Sequence, residues 1–518
     1  MANIRSNVWE LGSTWADPIL WYARGVAALR ARPITNPTSW RFYAGIHGFN
    51  SQLWQQLGYL SPTEQLPSSA LRGRFWAQCQ HASWYFLPWH RGYLYAFEDN
   101  IRAAVVSLGG PANWALPYWN YFKPGENAIP PAFAQTTWPD GGANPLFVQA
   151  RYGPTGNGQV SVPLNRVDLN AMNEPVFTGV TSGGSPGFGG VDTGFSHSGS
   201  IYGRLENQPH NMVHTLVGGR SGNQPGAMAV PDSAGLDPIF WLHHANIDRL
   251  WESWNRSSPT HLNPTSSRWL SGPAANGQRP FAMPWHDGTT WTFTPAQLVS
   301  IQTLGYQYSD LAPALIASPP AEPAQRLVRL GISAPVPVKG TQPVPEETRV
   351  ELVGATTDAV LVRGGDVRSH VHLDSGMRRK VTASLSGEPP TPDDHPSPRT
   401  PATPDRVFLN LENVRGRSDT SAFDVYVGVP DDEDPVARPD RLAGSVSPFG
   451  LRKASTPDGD HAGQGLTFVL EITDLVDQLH LDHSFDVDSL PVRIVPISPI
   501  ADDANLSIGR ISVFRDGL

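Results

Sequence analysis

Through its first three hundred residues the chain repeats apolar positions at helical spacing. Leu20, Ala23 and Ala27 share one face of a segment from Asp17 to Arg32. Asp17-Pro18 supplies that segment with an N-cap and a proline at its first helical position. Ser39–Leu57, Arg91–Ser107, Asn207–Leu216 and Ile239–Asn255 read as further helices. The stretches between them are rich in Gly and Pro, and Thr178–Ser200 is too loose for regular structure. Beyond Glu347 the period falls to two. Thr348–Arg363, Ser369–Leu373, Arg406–Leu411, Ala422–Val429, Leu466–Ile472, Leu490–Pro496 and Ile511–Phe514 read as strands, and short strands with turn signals between them suggest a β-sandwich.

This change of period sets the expected organisation. Residues 1–310 form a mainly α-helical domain, and residues 347–518 an all-β sandwich. Between them residues 311–346 form a Pro-rich linker, with Pro319, Pro320, Pro323, Pro335, Pro337, Pro343 and Pro345. Ser386–Pro404 carries seven prolines and reads as an insertion between strands.

Composition narrows the function. Hydrophobic residues at 39% and charged residues at 16% suit a large core and not a disordered chain. A net charge of −9 argues against nucleic acid as a partner. No apolar run reaches 18 residues, so no membrane span is expected, and the N-terminal Met-Ala-Asn-Ile-Arg-Ser lacks a signal pattern. The expected location is cytoplasmic, with export on a partner protein left open. A single Cys rules out an internal disulfide framework and a Cys-rich zinc site.

What remains unusual is 16 His and 17 Trp. Most histidines of the helical region form two sets: His47, His81 and His90, then His210, His214 and the pair His243-His244. His210 and His214 are four apart, so their imidazoles leave one helical face, a metal-chelating spacing. Taken alone, such a pair is more often one buried and one exposed histidine. Few carboxylates flank these residues, which suits copper better than magnesium or calcium; zinc stays open on ligand type alone.

Two longer segments add specificity. His81-Ala-Ser-Trp-Tyr-Phe86-Leu87-Pro88-Trp89-His90-Arg91, followed by Glu98, resembles the copper A signature of tyrosinases. Asp237-Pro238-Ile239-Phe240-Trp241-Leu242-His243-His244-Ala-Asn-Ile-Asp248 resembles their copper B signature. The chain thus resembles the type 3 copper proteins: tyrosinases and polyphenol oxidases, catechol oxidases and hemocyanins. The resemblance implies a four-helix bundle core holding two copper ions, with O2 as co-substrate. It implies copper A ligands His47, His81 and His90, and copper B ligands His210, His214 and His244. His243 becomes a neighbour behind the ligands, and Asp248, one turn on, is placed to orient an imidazole.

Further matches extend the resemblance. Cys79 stands two residues before His81, where fungal relatives and molluscan hemocyanins carry a Cys–His thioether, so a Cys79–His81 crosslink is expected. In Glu206-Asn207-Gln208-Pro209-His210-Asn211, the resemblance gives Glu206 and Asn211 a catalytic role, holding a water that takes the phenol proton. Pro231 occupies the position of the aromatic gate of plant catechol oxidases, which implies a more open copper A. Tyr306-Gln307-Tyr308 resembles the Tyr-x-Tyr motif that closes the catalytic domain, with Arg5 the candidate to pack on it.

Ala422-Phe423-Asp424-Val425-Tyr426-Val427 and Ala443-Gly444-Ser445-Val446 resemble the C-terminal domain of the plant enzymes, a lid that makes them latent. Within Ser445–Leu451, Phe449 is the candidate to enter the pocket. The expected activity is ortho-hydroxylation of monophenols and oxidation of o-diphenols to o-quinones, on small phenolic substrates. A catechol or o-aminophenol oxidase without monophenol hydroxylation is the alternative within enzymes, and a hemocyanin-like O2 carrier the alternative outside them. The linker is compatible with an activating protease, and sandwich edges with a homo-oligomer.

Overall fold

The computed structural model of the chain describes residues 3–312, 323–332, 349–386, 405–457, 462–485, 488–500 and 502–517. By internal contacts it divides into two compact units. The first holds Met1–Thr178, Phe188–Gly199 and Gly203–Ile316; the second holds Gly179–Gly187, Ser200–Tyr202 and Ala317–Leu518. The second unit therefore includes two segments that the change of period assigns to the helical region.

In the first unit the functional helices are α1 (Asp17–Arg30), α2 (Trp40–His47), α3 (Phe86–Ser107), α4 (Met212–Gly218) and α5 (Pro238–Ser257). α3 packs against both α1 and α5, and Phe97 of α3 stacks on Trp241 of α5. Two of these five helices start on side-chain caps. Ser39 accepts from the Phe42 N–H before α2, and Asp237 accepts from the Ile239 N–H before α5, with Pro238 in the first turn.

Three expected boundaries shift, each for a local reason. α3 begins at Phe86 and not Arg91, because Pro88 sits in the first turn, where its missing N–H has no partner to lose. Ser39–Leu57 is two helices. Gly48 ends α2, and Asn50 caps Ser51–Gln56 by accepting from the Leu53 N–H. Asn207–Leu216 is a widened turn, Glu206–Asn211, extended at Gln208 (φ −136°, ψ 128°), leading into α4.

The chain ends of this unit meet in a parallel pair, β1 (Asn3–Arg5) and β2 (Tyr306–Tyr308), with Arg5 opposite Tyr308. The Arg5 guanidinium lies 3.8 Å over the Tyr306 ring, as the Tyr-x-Tyr resemblance implies. Gly45 on α2 makes a close approach: a β-carbon there would lie 2.6 Å from the Trp76 indole. That packing seats α2 on the loop that leads to Cys79.

The second unit is built on one antiparallel sheet of eight strands. In chain order these are β3 (Arg349–Ala355), β4 (Val367–Leu373), β5 (Arg406–Val414), β6 (Phe423–Val427), β7 (Leu442–Val446), β8 (Leu466–Glu471), β9 (Ser489–Pro496) and β10 (Arg510–Gly517). Their order across the sheet is β7-β6-β9-β4-β3-β10-β5-β8. Among the described residues the two four-stranded halves pair through His372 with Ala355 and Leu373 with Gly354. The expected strand Thr348–Arg363 is interrupted: Val360–Val362 leaves the sheet and pairs with Leu506–Ile508.

Helices Ser375–Ser386 and Thr473–Leu481, which period-two reading does not predict, add to the sheet. Of the expected linker, residues 311–312 and 323–332 are described. Pro323–Arg329 is helical there, and Arg326 grips the buried Asp477 through two hydrogen bonds of 2.8 Å. The Pro-rich insertion Ser386–Pro404 lies, after its first residue, outside the described residues. Residues 200–202 run beside β8: Thr467 N–H donates to Ser200 O at 2.7 Å, and the Tyr202 hydroxyl donates to Phe449 O at 2.5 Å. No helix of the described residues is long and apolar enough to cross a membrane.

Candidate metal centre

Among the described residues two groups are close enough to hold a metal ion: His47, Cys79, His81 and His90, and His210, His214, His243 and His244. Their elements explain why they meet. His47 is the last residue of α2, His90 lies in the first turns of α3, and His214 and His244 ride on α4 and α5. His210 belongs to the widened turn before α4, and His81 to a loop.

The second group is the tighter one. The Nε2 atoms of His210, His214 and His244 form a triangle with sides of 3.1, 3.2 and 3.4 Å. Three imidazoles on a tetrahedral ion, with metal–nitrogen bonds of about 2.0 Å, would stand about 3.3 Å apart. The triangle thus already has the size of a coordination site. The donor set fits copper: imidazole nitrogen in both groups, with the Cys79 sulfur added in the first and no carboxylate oxygen in either.

Four of the rings are turned by what holds their Nδ1. His214 Nδ1 faces Met228 O at 2.9 Å, and His210 Nδ1 faces Asn211 Oδ1 at 2.8 Å. In the first group His47 Nδ1 faces Pro231 O, and His90 Nδ1 faces Phe86 O, both at 2.8 Å. These acceptors fix the proton on Nδ1 and leave Nε2 as the donor to a metal.

Burial, reinforced by neighbouring imidazoles, pushes His90, His210, His214 and His244 well below the usual histidine range. They are neutral at neutral pH, so no proton has to leave before a metal binds. Phe86 and Phe240 pack the rings. The ring centroid of Phe86 lies 4.6 Å from that of His90, and the centroid of Phe240 lies 4.2 Å from that of His244. His90 stacks on His244 with centroids 4.5 Å apart, so the two groups adjoin.

Around the histidines the expected residues take definite places. Cys79 Sγ lies 3.6 and 3.5 Å from the two ring nitrogens of His81, and 3.3 Å from His90 Nε2. Glu206 is buried, and both its oxygens accept from the Ala82 N–H, at 2.9 and 3.1 Å. Burial pushes its carboxyl well above the usual range, and the single backbone donor offsets this only in part. Pro231 is buried and contributes its carbonyl to His47. His243 stacks on His210 with centroids 5.3 Å apart, and burial pushes it down to about 3.

Asp248 departs from expectation: among the described residues it orients no imidazole. Its oxygens accept from Arg91 Nε at 2.5 Å, Tyr306 at 2.6 Å and Tyr308 at 2.5 Å, with Arg5 at 3.2 Å. Two guanidinium charges outbid a neutral ring for a buried carboxylate. Burial alone would raise its pKa, but Arg91 and Arg5 hold it below the usual range.

Comparison with known proteins follows the same lines. A family model described as the common central domain of tyrosinase matches residues 37–257. Tyrosinase HcTyr1 of Hahella sp. (strain CCB-MM4) is 33% identical over 537 residues, covering 99% of this chain and 99% of the relative. The chain belongs to the tyrosinase family. A chloroplastic polyphenol oxidase A1 of Vicia faba is 25% identical over 504 residues, covering 92% of this chain and 72% of the relative. In fold, the chain is similar to a latent aurone synthase (polyphenol oxidase), with a TM-score of 0.60 at 19% identity, over 100% of this chain and 90% of that one. It is similar also to latent apple tyrosinase, with a TM-score of 0.58 at 21% identity, over 99% and 97%. A second family model, a domain of unknown function, matches residues 349–516.

As a tyrosinase-family protein the chain is a type 3 copper oxidoreductase of phenolic substrates, with two copper ions as cofactor and O2 as co-substrate. Sequence reasoning missed the carbonyls of Phe86, Met228 and Pro231, because a backbone acceptor leaves no residue-type signal. It also missed Ala82, whose N–H anchors Glu206. The motif resemblance had Asn211 orient a water, whereas its side-chain oxygen faces His210 Nδ1.

Proposed function

We propose that this tyrosinase-family chain hydroxylates monophenols at the ortho position, oxidises the resulting o-diphenols to o-quinones, and is kept latent by its second unit. In this reading His47, His81 and His90 hold copper A, and His210, His214 and His244 hold copper B. The bound copper pair supplies the oxygen chemistry: a monophenol and one O2 give one o-quinone and one water, and two o-diphenols and one O2 give two o-quinones and two waters.

The observation that carries the monophenol step is Glu206. It is buried, four residues ahead of His210, and bonded to the residue after His81. A phenol, with a pKa near 10, has to lose its proton before it binds copper. A carboxylate made more basic by burial is suited to receive that proton through a water.

The reading includes a Cys79–His81 thioether, supported by Sγ standing nearly equidistant from the two ring nitrogens, on the plane that passes through Cε1. Its closure replaces S–H and C–H by S–C, and O2 takes both hydrogens as hydrogen peroxide. Latency is supported by likeness over the whole chain to solved structures titled latent, and Phe449, fully buried, stays the proposed lid residue.

A catechol oxidase without monophenol hydroxylation is the second reading. It is favoured by Asn211, whose side-chain oxygen faces His210 Nδ1. Oxygen uptake on tyramine, with no diphenol added and after a cut within residues 313–322, separates the two. Uptake is expected, with Glu206→Gln reducing it about 10–100-fold. Oxidation of 4-tert-butylcatechol with no uptake on tyramine would establish the second reading. Equal catechol oxidation before and after the cut would remove latency.

A further inference from the structure

His47 and His90 are aimed by helices, but His81 stands on residues 77–82, which form no regular element. That loop is nevertheless held at almost every residue. Ala77 and Ala82, with φ of 50° and 51°, place its two ends in the left-handed region. The Ala77 and Gln78 N–H groups donate to Gly45 O and Ile46 O at 3.0 and 3.1 Å, just ahead of His47. The Gln78 side chain donates to Phe75 O and Ala282 O at 2.7 and 2.8 Å.

Between Cys79 and His81, Gln80 is fully buried. Its Nε2 donates to Gln78 O at 2.8 Å and to His197 Nδ1 at 2.8 Å. His197 Nε2 in turn donates to Arg279 O at 2.9 Å. The Arg279 guanidinium closes the circuit, donating to Trp76 O at 2.9 Å and Ala77 O at 3.0 Å. The partners settle the atoms. A carbonyl opposite Gln80 Nε2 requires the amide nitrogen there, and a carbonyl opposite His197 Nε2 requires a proton there. His197 is therefore the Nε2–H tautomer, and its Nδ1 accepts from Gln80.

We propose that Gln80 and His197 are positioning residues for copper A: their hydrogen-bonded circuit fixes the loop that presents Cys79 and His81. The proposal rests on the assignment of His81 as a copper A ligand. Neither residue belongs to the metal groups. Breaking the circuit strands a buried amide donor, and the loop moves to recover a partner. A ligand displaced in this way weakens its metal site about 10–100-fold.

His197 also packs edge-on against Phe281, with centroids 5.6 Å apart, so bonding and packing must be separated. His197→Gln keeps an acceptor and a donor and loses the ring. His197→Phe keeps the ring and loses both bonds. Each full-length protein is loaded with copper and challenged with a competing chelator, and copper per chain is counted by metal analysis.

The wild type is expected to hold two coppers. His197→Gln should retain them within about threefold of the wild type, and His197→Phe should lose one of the two at about 10–100-fold lower chelator. Retention by His197→Phe equal to the wild type, or loss by His197→Gln as great as by His197→Phe, overturns the proposal. A wild type that takes up fewer than two coppers defeats the ligand assignment instead. Should His197→Phe fail to fold, Gln80→Leu breaks the same bond from the loop side with His197 in place. The same loss of one copper is then expected, and full retention overturns the proposal.

Discussion

In the proposed B triad, His210, His214 and His244 leave one short turn-and-helix segment and α5, and their Nε2 atoms close to 3.1–3.4 Å. The A triad draws His47 from a helix end, His81 from a loop and His90 from α3, and a sulfur stands among them. Helices α4 and α5 carry His214 and His244, and the turn that leads directly into α4 adds His210. The A ligands depend on tertiary bonds across separate segments. The B site is therefore expected to withstand changes elsewhere in the chain, and the A site to feel them.

The largest effect comes from removing a ligand. His214→Ala leaves two nitrogens of the B triangle, and His90→Ala leaves two of the A group. Each should bind one copper per chain in place of two and lose oxygen uptake on catechol altogether. If either variant keeps both coppers by metal analysis, the two sites are not the separate triads drawn here.

Next in size is Asp248→Ala, which tests whether the carboxylate belongs to the B site or to the fold. Asp248 lies between Arg5 and Arg91, both fully buried, beneath Tyr306 and Tyr308. Removing it leaves buried Arg5 with Glu98 alone and buried Arg91 with the more distant Glu252, at a cost of about 3–5 kcal/mol. Urea unfolding should show that loss, while the refolded variant still takes two coppers.

The pH dependence has a definite sign. Asp248 titrates lower in the folded state than its unfolded value near 3.9. Its stabilisation is thus complete above about pH 4 to 5 and fades as pH falls through the folded value. Asp248→Asn should flatten the acid side of the stability profile. A profile unchanged from the wild type would place the acid-labile group elsewhere.

How much of this was legible in the chain differs between the two sites for the same reason. The proposed B ligands were pointed to by the run from Asp237 to Asp248, the i, i+4 spacing of His210 and His214 being only suggestive by itself. Even there, spacing misled once. Asp248 sits one turn beyond His244 but turns toward cations that come from residues 5 and 91. No local pattern carries a contact of that sequence separation.

At the A site the His-to-His run from residue 81 to 90 was readable, yet the start of α3 was not. Pro88 suggests a break until its place in the first turn is seen. In the second unit β5 and β6 were readable as strands, although both are buried on consecutive residues and not on alternate ones. The helix Thr473–Leu481 was not, because its apolar residues Leu475, Val476 and Leu479 fill too few turns to show a period. Likewise nothing near residues 200–202 signals that they run beside β8, since an added strand is recognised by its backbone.

A smaller change separates the B ligands from each other. His214 is turned by the carbonyl of Met228, which no side-chain substitution removes, whereas His210 is turned by the Asn211 side chain. Asn211→Ala should weaken copper retention about tenfold, within the usual range for the partner of a metal-bound imidazole. Asn211→Asp, which still presents an acceptor oxygen, should restore it. An alanine variant as retentive as the wild type would mean that the packing of Phe86 and His243 against His210 is sufficient.

The smallest expected effect belongs to Cys79→Ser, and it bears most directly on why the A site carries a sulfur. A thioether to His81 removes rotation of that ring in both the empty and the loaded protein. Rotational freedom of a side chain of this size is worth about 1 kcal/mol, or about fivefold in an equilibrium constant. The loop beneath His81 is already fixed by hydrogen bonds from Gly45 to Arg279, so the crosslink adds to an orientation that exists without it. Cys79→Ser should therefore keep two coppers, release one of them about fivefold more readily to a chelator, and leave the other unchanged. The intact wild-type chain, loaded with copper in air, should weigh two hydrogens less than its sequence, and the serine variant should not. A full-mass wild type would remove the crosslink. A serine variant unable to hold copper A at all would show that sulfur, and not the loop, aims His81.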